Sequence, residues 1–170
     1  EREDVMKTVE ELVIYVMDKI GKKIKEKPFP IFSYADAMKK FGQDKFDLRS
    51  APEKEDGTLA FAWVLDFPMF EKDSEGKWTY GHNPFTGPKD EEGFKKINAA
   101  DSNDISRVLS QQYDLVCNGS EVGGGGIRTN KRDVLKQTFR ILGYKVEGER
   151  NGDTMKGSMK QFEHMLEAFT

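Results

Sequence analysis

An α+β fold, with helices flanking an antiparallel sheet, is predicted by three features of this sequence. Residues 3–20 carry apolar side chains at helical spacing. Residues 61–67 form a nearly continuous apolar run of strand length. Asn118-Gly119 is a two-residue hairpin signal, because a type I′ turn needs positive φ at both central positions. Helices that bury one stripe against such a sheet give the α+β arrangement. A length of 170 residues suits one domain over residues 1–170.

The elements follow in order. Residues 3–20 are a helix with Val5, Val9, Leu12, Val13, Val16, Met17 and Ile20 as its buried stripe, and Gly21 is the stop. Lys22 to Lys27 reads as a solvated turn. Pro28 to Phe32 is an edge strand, where proline is tolerated. Ser33 caps a short helix through Phe41, with Ala37 and Met38 inward. Residues 50–59 (SAPEKEDGTL) are a charged surface loop. Phe61 to Phe67 is a buried strand ended by Pro68. Residues 71–77 are a polar hairpin loop, and Trp78 to Thr86 returns as a strand. Residues 88–100 read as loop, and 101–110 hold one or two helical turns. Asn130 caps a helix through Leu142, with Asp133 at the capping-box acid position and Val134, Leu135, Thr138, Ile141 and Leu142 buried. Residues 158–169 are a last helix with Phe162, Met165, Leu166 and Phe169 inward.

A net charge of −3 argues against a whole surface built for nucleic acid, while leaving room for a local basic patch. Cys117 stands alone, so no internal disulfide forms and a cytoplasmic, reducing compartment is expected; its place beside Val116 favours packing over reactivity. No apolar run reaches membrane-spanning length, and the acidic opening ERED does not resemble a targeting peptide.

The chemistry concentrates in Tyr113 to Arg128, YDLVCNGSEVGGGGIR. With Asn118-Gly119 as the turn, Cys117 faces Ser120, Val116 faces Glu121 and Asp114 faces Gly123. Asp114 and Glu121 then become diagonal neighbours on one face. Carboxylates placed together without basic neighbours repel, and a hard cation such as Mg²⁺ relieves that repulsion. The Gly123-Gly124-Gly125-Gly126 run removes side chains beyond them, so a flat ligand or a phosphate can approach the backbone. Arg128 offers a planar fork for a carboxylate or phosphate. In an unbroken strand Arg128 points away from Glu121, and a β-bulge would bring it back. The same spacing also fits an exposed acidic strand with a loose glycine bend.

NGSEVGGGGIR resembles the NG-x-E-x-GGGS-x-R segment of aspartyl-tRNA synthetases, members of the class II synthetase family. Three other stretches agree in order. FGQDKFDLR (41–49) resembles the YGSDKPDLR block, WVLDFPMF (63–70) is similar to the WVVDFPLF strand, and HNPFT (82–86) resembles HHPFT. The likeness runs through nearly the whole chain, placing it between the second and third class II motifs as a partial catalytic domain. Residues 50–59 stand where bacterial relatives insert a separate domain.

The resemblance implies aspartate activation by ATP, with Mg²⁺, and transfer of the aspartyl group to tRNA. It implies that Asp114 and Glu121 hold Mg²⁺ against the ATP phosphates, and that Gly123, Gly124 and Gly125 line the adenosine pocket. Arg128 would grip the aspartate side chain, with His82 and Asn83 near the amino acid. Asn83 stands where a second histidine is usual, Gly126 replaces a serine, and Phe46 replaces a frequent proline. Asp44, Lys45 and Arg49 belong to a block that shapes the site or approaches the tRNA acceptor end. The family is homodimeric through its first motif, which is not found here. Weak or no activity is expected of this chain alone, because the family's second and third motifs supply the arginines that hold ATP, whether it is an expressed fragment or a naturally reduced protein. Rival readings are a non-catalytic nucleotide- or protein-binding module, and a reduced paralogue making aspartyl-adenylate for another acceptor.

Overall fold

The computed structural model describes residues 1–144, and the helix expected at 158–169 lies outside them. The chain divides into two compact units, Glu1–Phe67 with Gln112–Ile127, and Pro68–Gln111 with Arg128–Thr170.

The first unit is built on a four-stranded sheet. Its strands are β1 (Ile31–Ser33), β2 (Phe61–Leu65), β5 (Gln112–Cys117) and β6 (Ser120–Gly126), in the order β1-β2-β5-β6. The β2–β5 and β5–β6 pairs are antiparallel, as expected, whereas β1 runs parallel to β2. All of β2 is buried because both faces of the sheet are covered. One face carries Phe61, Trp63, Leu65, Leu115 and Cys117 with helix α1 (Arg2–Lys19). The other carries Ala62, Val64 and Val116 with Phe46 and helix α2 (Tyr34–Phe41). The α+β class read from the sequence is the observed one.

Helix α1 uses a narrower face than its composition suggested. Met6, Val9, Val13, Ile14 and Met17 pack toward the sheet, while Val5, Leu12, Val16 and Ile20 are exposed. Glu10 fixes this rotation. Its carboxylate accepts the Trp63 indole N–H at 3.0 Å and the Phe29 backbone N–H at 3.0 Å, so a charged residue occupies the sheet side. Gly21 ends the turn at φ +69°, a conformation that suits glycine. The Lys22–Lys27 turn is not merely solvated: Lys25 Nζ donates to Glu53 at 2.6 Å and to the Leu48 carbonyl at 2.8 Å.

Ser33 caps α2 as predicted, accepting from the Asp36 N–H at 3.0 Å; Ala37 is buried, but Met38 is exposed. The stretch at 50–59, expected as loop, contains α3 (Ala51–Glu55), which opens with a Ser50–Glu53 capping box and a proline in its first turn. Strand β2 stops earlier than expected, because Asp66 takes φ +59° and its carboxylate pairs with Arg2 at 3.1 Å.

Among the described residues the second unit holds a two-stranded hairpin, β3 (Phe70–Lys72) with β4 (Trp78–Tyr80), and three helices, α4 (Glu91–Lys96), α5 (Ser102–Ser106) and α6 (Arg132–Ile141). Phe70, Phe94, Ile105, Val134, Leu135 and Phe139 form its core. The strand expected through Thr86 ends at Tyr80, since a Cβ on Gly81 would lie 2.9 Å from the Pro68 carbonyl and the chain turns. The loop expected at 88–100 contains α4, capped by Asp90, with Glu91 and Glu92 at its positive end and Lys95 and Lys96 at its negative end. Helix α6 begins after Lys131 rather than at Asn130. Thr129 Oγ1 accepts from the Lys131 N–H, and Asp133 pairs with Lys95 at 3.2 Å instead of completing a capping box. Its five expected core residues are buried. Among the described residues no helix is long and apolar enough to cross a membrane.

Candidate nucleotide and metal site

The β5–β6 hairpin places the carboxylates. Asn118 and Gly119 have φ of +55° and +90°, the signature of the predicted type I′ turn. The turn is anchored from both sides. Asn118 Oδ1 accepts from the Ala60 N–H at 2.9 Å, and the Gly119 N–H donates to the Phe46 carbonyl at 3.1 Å. Cys117 pairs with Ser120 and Val116 with Glu121, as the turn requires.

Beyond that the register shifts. Leu115 pairs with Gly123, so Val122 is an extra residue, and Asp114 stands opposite Gly124 rather than Gly123. This is a β-bulge, of the kind that re-aims a strand beside a site. Its consequence is local and measurable. A Cβ on Gly124 would lie 2.8 Å from Asp114 Oδ1 and 3.2 Å from Glu121 Oε1. Both carboxylates therefore converge on the one point that this glycine leaves open.

The glycines differ in what they do. Gly123 has nothing within 4 Å of a built Cβ, so its outer surface is free. Gly125 instead makes room for Tyr113, whose hydroxyl would lie 2.8 Å from that Cβ. Tyr113 in turn meets Trp63 edge-on, with ring centroids 6.1 Å apart. Strand β6 is exposed along its first five residues, while Asp114 on β5 is only 4% exposed.

The electrostatics depart from the expectation of a pair without basic neighbours. Lys45 Nζ lies 3.0 Å from Asp44 and 3.4 Å from Glu121 Oε2. Asp44 foremost, with Glu121 adding, holds the Lys45 ammonium above its ordinary pKa. Gln112, itself buried, donates its side-chain amide to both Asp114 oxygens at 3.2 and 3.4 Å. Lys45 is remote in sequence from the hairpin, whereas Gln112, two residues before Asp114 on the same strand, lay within reach of the local spacing.

The rest of the DKFDLR block is held by its own ion pairs. Arg49 grips Asp47 through Nε and Nη2 at 3.0 and 2.9 Å, and Lys54 stands 3.4 Å away. The Arg49 side chain, then its backbone N–H and Lys54, hold Asp47 well below the usual carboxylate range. Phe46, in place of the frequent proline, is 2% exposed and stacks on Phe41 at 4.2 Å.

The remaining predicted residues belong to the second unit. His82 is exposed. Asn83 builds a turn: its Oδ1 accepts the Phe85 and Thr86 N–H groups at 2.9 and 2.8 Å. Arg128 is exposed, bridges Thr86 through the backbone, and has no ion-pair partner among the described residues. Thr86, which the sequence reading passed over, is 1% exposed with its hydroxyl unpartnered among the described residues. A separate cavity of about 500 Å³ in this unit, lined by Phe94, Ile97, Val108 and Leu109 among others, contains none of the predicted site residues.

As a donor set, Asp114 and Glu121 fit a divalent cation of one kind. Mg²⁺ is commonly held by one or two carboxylates, with waters and substrate phosphates completing its octahedron. Among the described residues no group of three or more His, Cys, Asp or Glu residues offers a closed protein cage. The hairpin thus suits a cation that arrives with an anionic ligand.

Comparison with known proteins gives a consistent result. A family model described as tRNA synthetases class II (D, K and N) matches residues 1–170. The aspartate–tRNA(Asp/Asn) ligase of Cereibacter sphaeroides strain ATCC 17025 is 46% identical over 90 residues, covering 53% of this chain and 14% of that protein. That of Salinispora arenicola is 40% identical over 124 residues, covering 71% and 18%. The aspartate–tRNA ligase of Lactobacillus acidophilus is 38% identical over 114 residues, covering 66% and 16%. The matches thus span 14–18% of these relatives' length. Among solved structures, an aspartyl tRNA synthetase from Entamoeba histolytica shares the fold, with a TM-score of 0.57 over 99% of this chain and 33% of that one at 15% identity.

Proposed function

The chain belongs to the class II tRNA synthetases of the D, K and N group, and from that premise we propose that it is part of an aspartate–tRNA ligase. The observation that carries the reading is the convergence of Asp114 and Glu121 over Gly124 on a glycine-lined strand. In the proposed reaction the aspartate α-carboxylate attacks the α-phosphorus of ATP and pyrophosphate leaves, and the terminal ribose hydroxyl of tRNA then takes the aspartyl group from the adenylate with release of AMP. Such chemistry depends on positioning and charge neutralisation more than on a protein nucleophile.

Asp114 and Glu121 are the residues that would hold Mg²⁺, which when bound neutralises charge on the ATP phosphates. Gln112 keeps Asp114 oriented through its side-chain amide. Gly123, whose outer surface is open, lets the nucleotide approach the backbone of β6. Gly124 keeps the carboxylates unobstructed, and Gly125 serves through Tyr113. Arg128, exposed and without an ion-pair partner among the described residues, supplies a fork for the aspartate side-chain carboxylate. A carboxylate offers two anionic acceptors and an amide does not, so this residue discriminates against asparagine. His82 completes the amino-acid site, and Asn83 contributes through the turn it builds beside His82.

The test is aspartate-dependent ATP–pyrophosphate exchange by the protein that carries this segment. Arg128→Lys replaces a bidentate fork with a point charge. Loss of a charge-assisted hydrogen bond of about 1.5–3 kcal/mol lowers kcat/KM for aspartate by roughly ten- to a hundredfold. An Arg128→Lys enzyme with unchanged kcat/KM would remove Arg128 from the substrate site.

A further inference from the structure

We propose that Lys45 is a displaceable counter-ion for the carboxylate pair: its ammonium occupies Glu121 until a divalent cation enters, and then withdraws onto Asp44. This rests on the reading of Asp114 and Glu121 as Mg²⁺ ligands.

Four distances support it. Lys45 Nζ sits 3.0 Å from Asp44 Oδ2 in a hydrogen bond, and 3.4 Å from Glu121 Oε2 in a looser ion pair. Glu121 divides its two oxygens: Oε2 faces the ammonium, and Oε1 approaches the Gly124 opening 3.2 Å from the built Cβ. Asp114 Oδ1 reaches the same opening at 2.8 Å. The opening is therefore bordered by two carboxylate oxygens, and the Lys45 ammonium stands behind one of them.

Lysine suits such a role. Its charge is compact and its stem flexible, so it can leave one carboxylate for another without a change of backbone. The side chain is 44% exposed and Asp44 already holds it, so the alternative position needs no new partner. An ammonium and a divalent cation sharing Glu121 would repel each other, and metal entry loosens the weaker of the two Lys45 contacts first. With no ligand bound, Lys45 relieves the repulsion between Glu121 and Asp114. It also lowers the affinity for a bare metal ion, which favours a cation that arrives on a polyanion.

The experiment is a titration with Mg²⁺ alone of the 170-residue chain, followed by the backbone amide resonances of Gly123 to Gly126. Wild type is compared with Lys45→Met, Lys45→Gln and Glu121→Gln. Removing one unit charge at this distance under water-like screening tightens Mg²⁺ binding about tenfold in both Lys45 variants. Glu121→Gln is expected to weaken it. Damage to the fold would lower affinity, so a gain in both Lys45 variants reports loss of the lysine charge beside Glu121 and not a damaged fold. Unchanged or weaker binding in the Lys45 variants, with loss in Glu121→Gln, would overturn the exchange and leave the metal site standing. Binding that Glu121→Gln leaves untouched would overturn the metal reading, and this proposal with it.

Discussion

Substituting Gly124 by alanine isolates the geometry on which the site depends. The added methyl would meet Asp114 Oδ1 at 2.8 Å, Glu121 Oε1 at 3.2 Å and the Tyr113 carbonyl at 3.4 Å. The first contact is shorter than van der Waals packing permits, and the atom it meets cannot easily retreat. Asp114 is 4% exposed and tied to the Gln112 amide. Overpacking of this kind costs about 1–3 kcal/mol. Replacing glycine by alanine also restricts the unfolded chain, which returns about 0.4–1 kcal/mol. The net expectation is a loss of about 1–2 kcal/mol. Gly123→Ala is the matched control, because its methyl meets nothing within 4 Å and only the unfolded-state gain remains. Urea unfolding separates the two. With a slope of about 2 kcal/mol/M, Gly124→Ala lowers the midpoint by about 0.5–1 M, while Gly123→Ala raises it by a few tenths. Equal midpoints for the two variants, with equal slopes, would refute the convergence of the carboxylates over Gly124.

Acid sensitivity and thiol reactivity supply two further tests. Glu53 is held at a pKa of about 2, down from 4.5, foremost by the Lys25 side chain and then by the Ser50 N–H and hydroxyl. A depressed folded pKa gives stability that is complete above about pH 4.5 and lost as pH falls through about 2. Glu53→Gln should therefore flatten the fall of the urea midpoint across that window, and an unaltered profile would count against the Lys25–Glu53 pair. Cys117 is buried, and burial pushes its thiol pKa up. Its alkylation by iodoacetamide at neutral pH should require unfolding, so modification of the native chain at the rate of a free thiol would contradict its packing role.

The hairpin was legible because its turn is written in side-chain chemistry: Asn118 and Gly119 tolerate positive φ where other residues are strained. The register beyond Val122 was not legible. A run of glycines carries no alternation of apolar and polar side chains to fix which residue faces which. Lys45 was quoted as part of a motif, but its approach to Glu121 joins segments far apart in sequence, and no local period reports such a contact. Helix α1 shows a different limit. Its apolar positions cover more than one face, and the rotation was decided by Glu10 finding the Trp63 and Phe29 donors. The missed α4 was readable in principle, since Asp90 is followed by acids and then lysines in the order that suits a helix dipole. Asn130 was a plausible cap, but Thr129 intercepts the Lys131 N–H one residue earlier.

A thermal shift of the chain with Mg²⁺ and a non-hydrolysable aspartyl-adenylate analogue tests the central claim most directly. At a hundred times its Kd the analogue should add about 2.7 kcal/mol of stability. The asparaginyl analogue should add less; Arg128→Ala should abolish the difference, and Glu121→Gln should lower the shift with both analogues. Equal stabilisation by the two analogues would contradict the proposed role of Arg128, and a shift that survives Glu121→Gln would contradict that of Glu121.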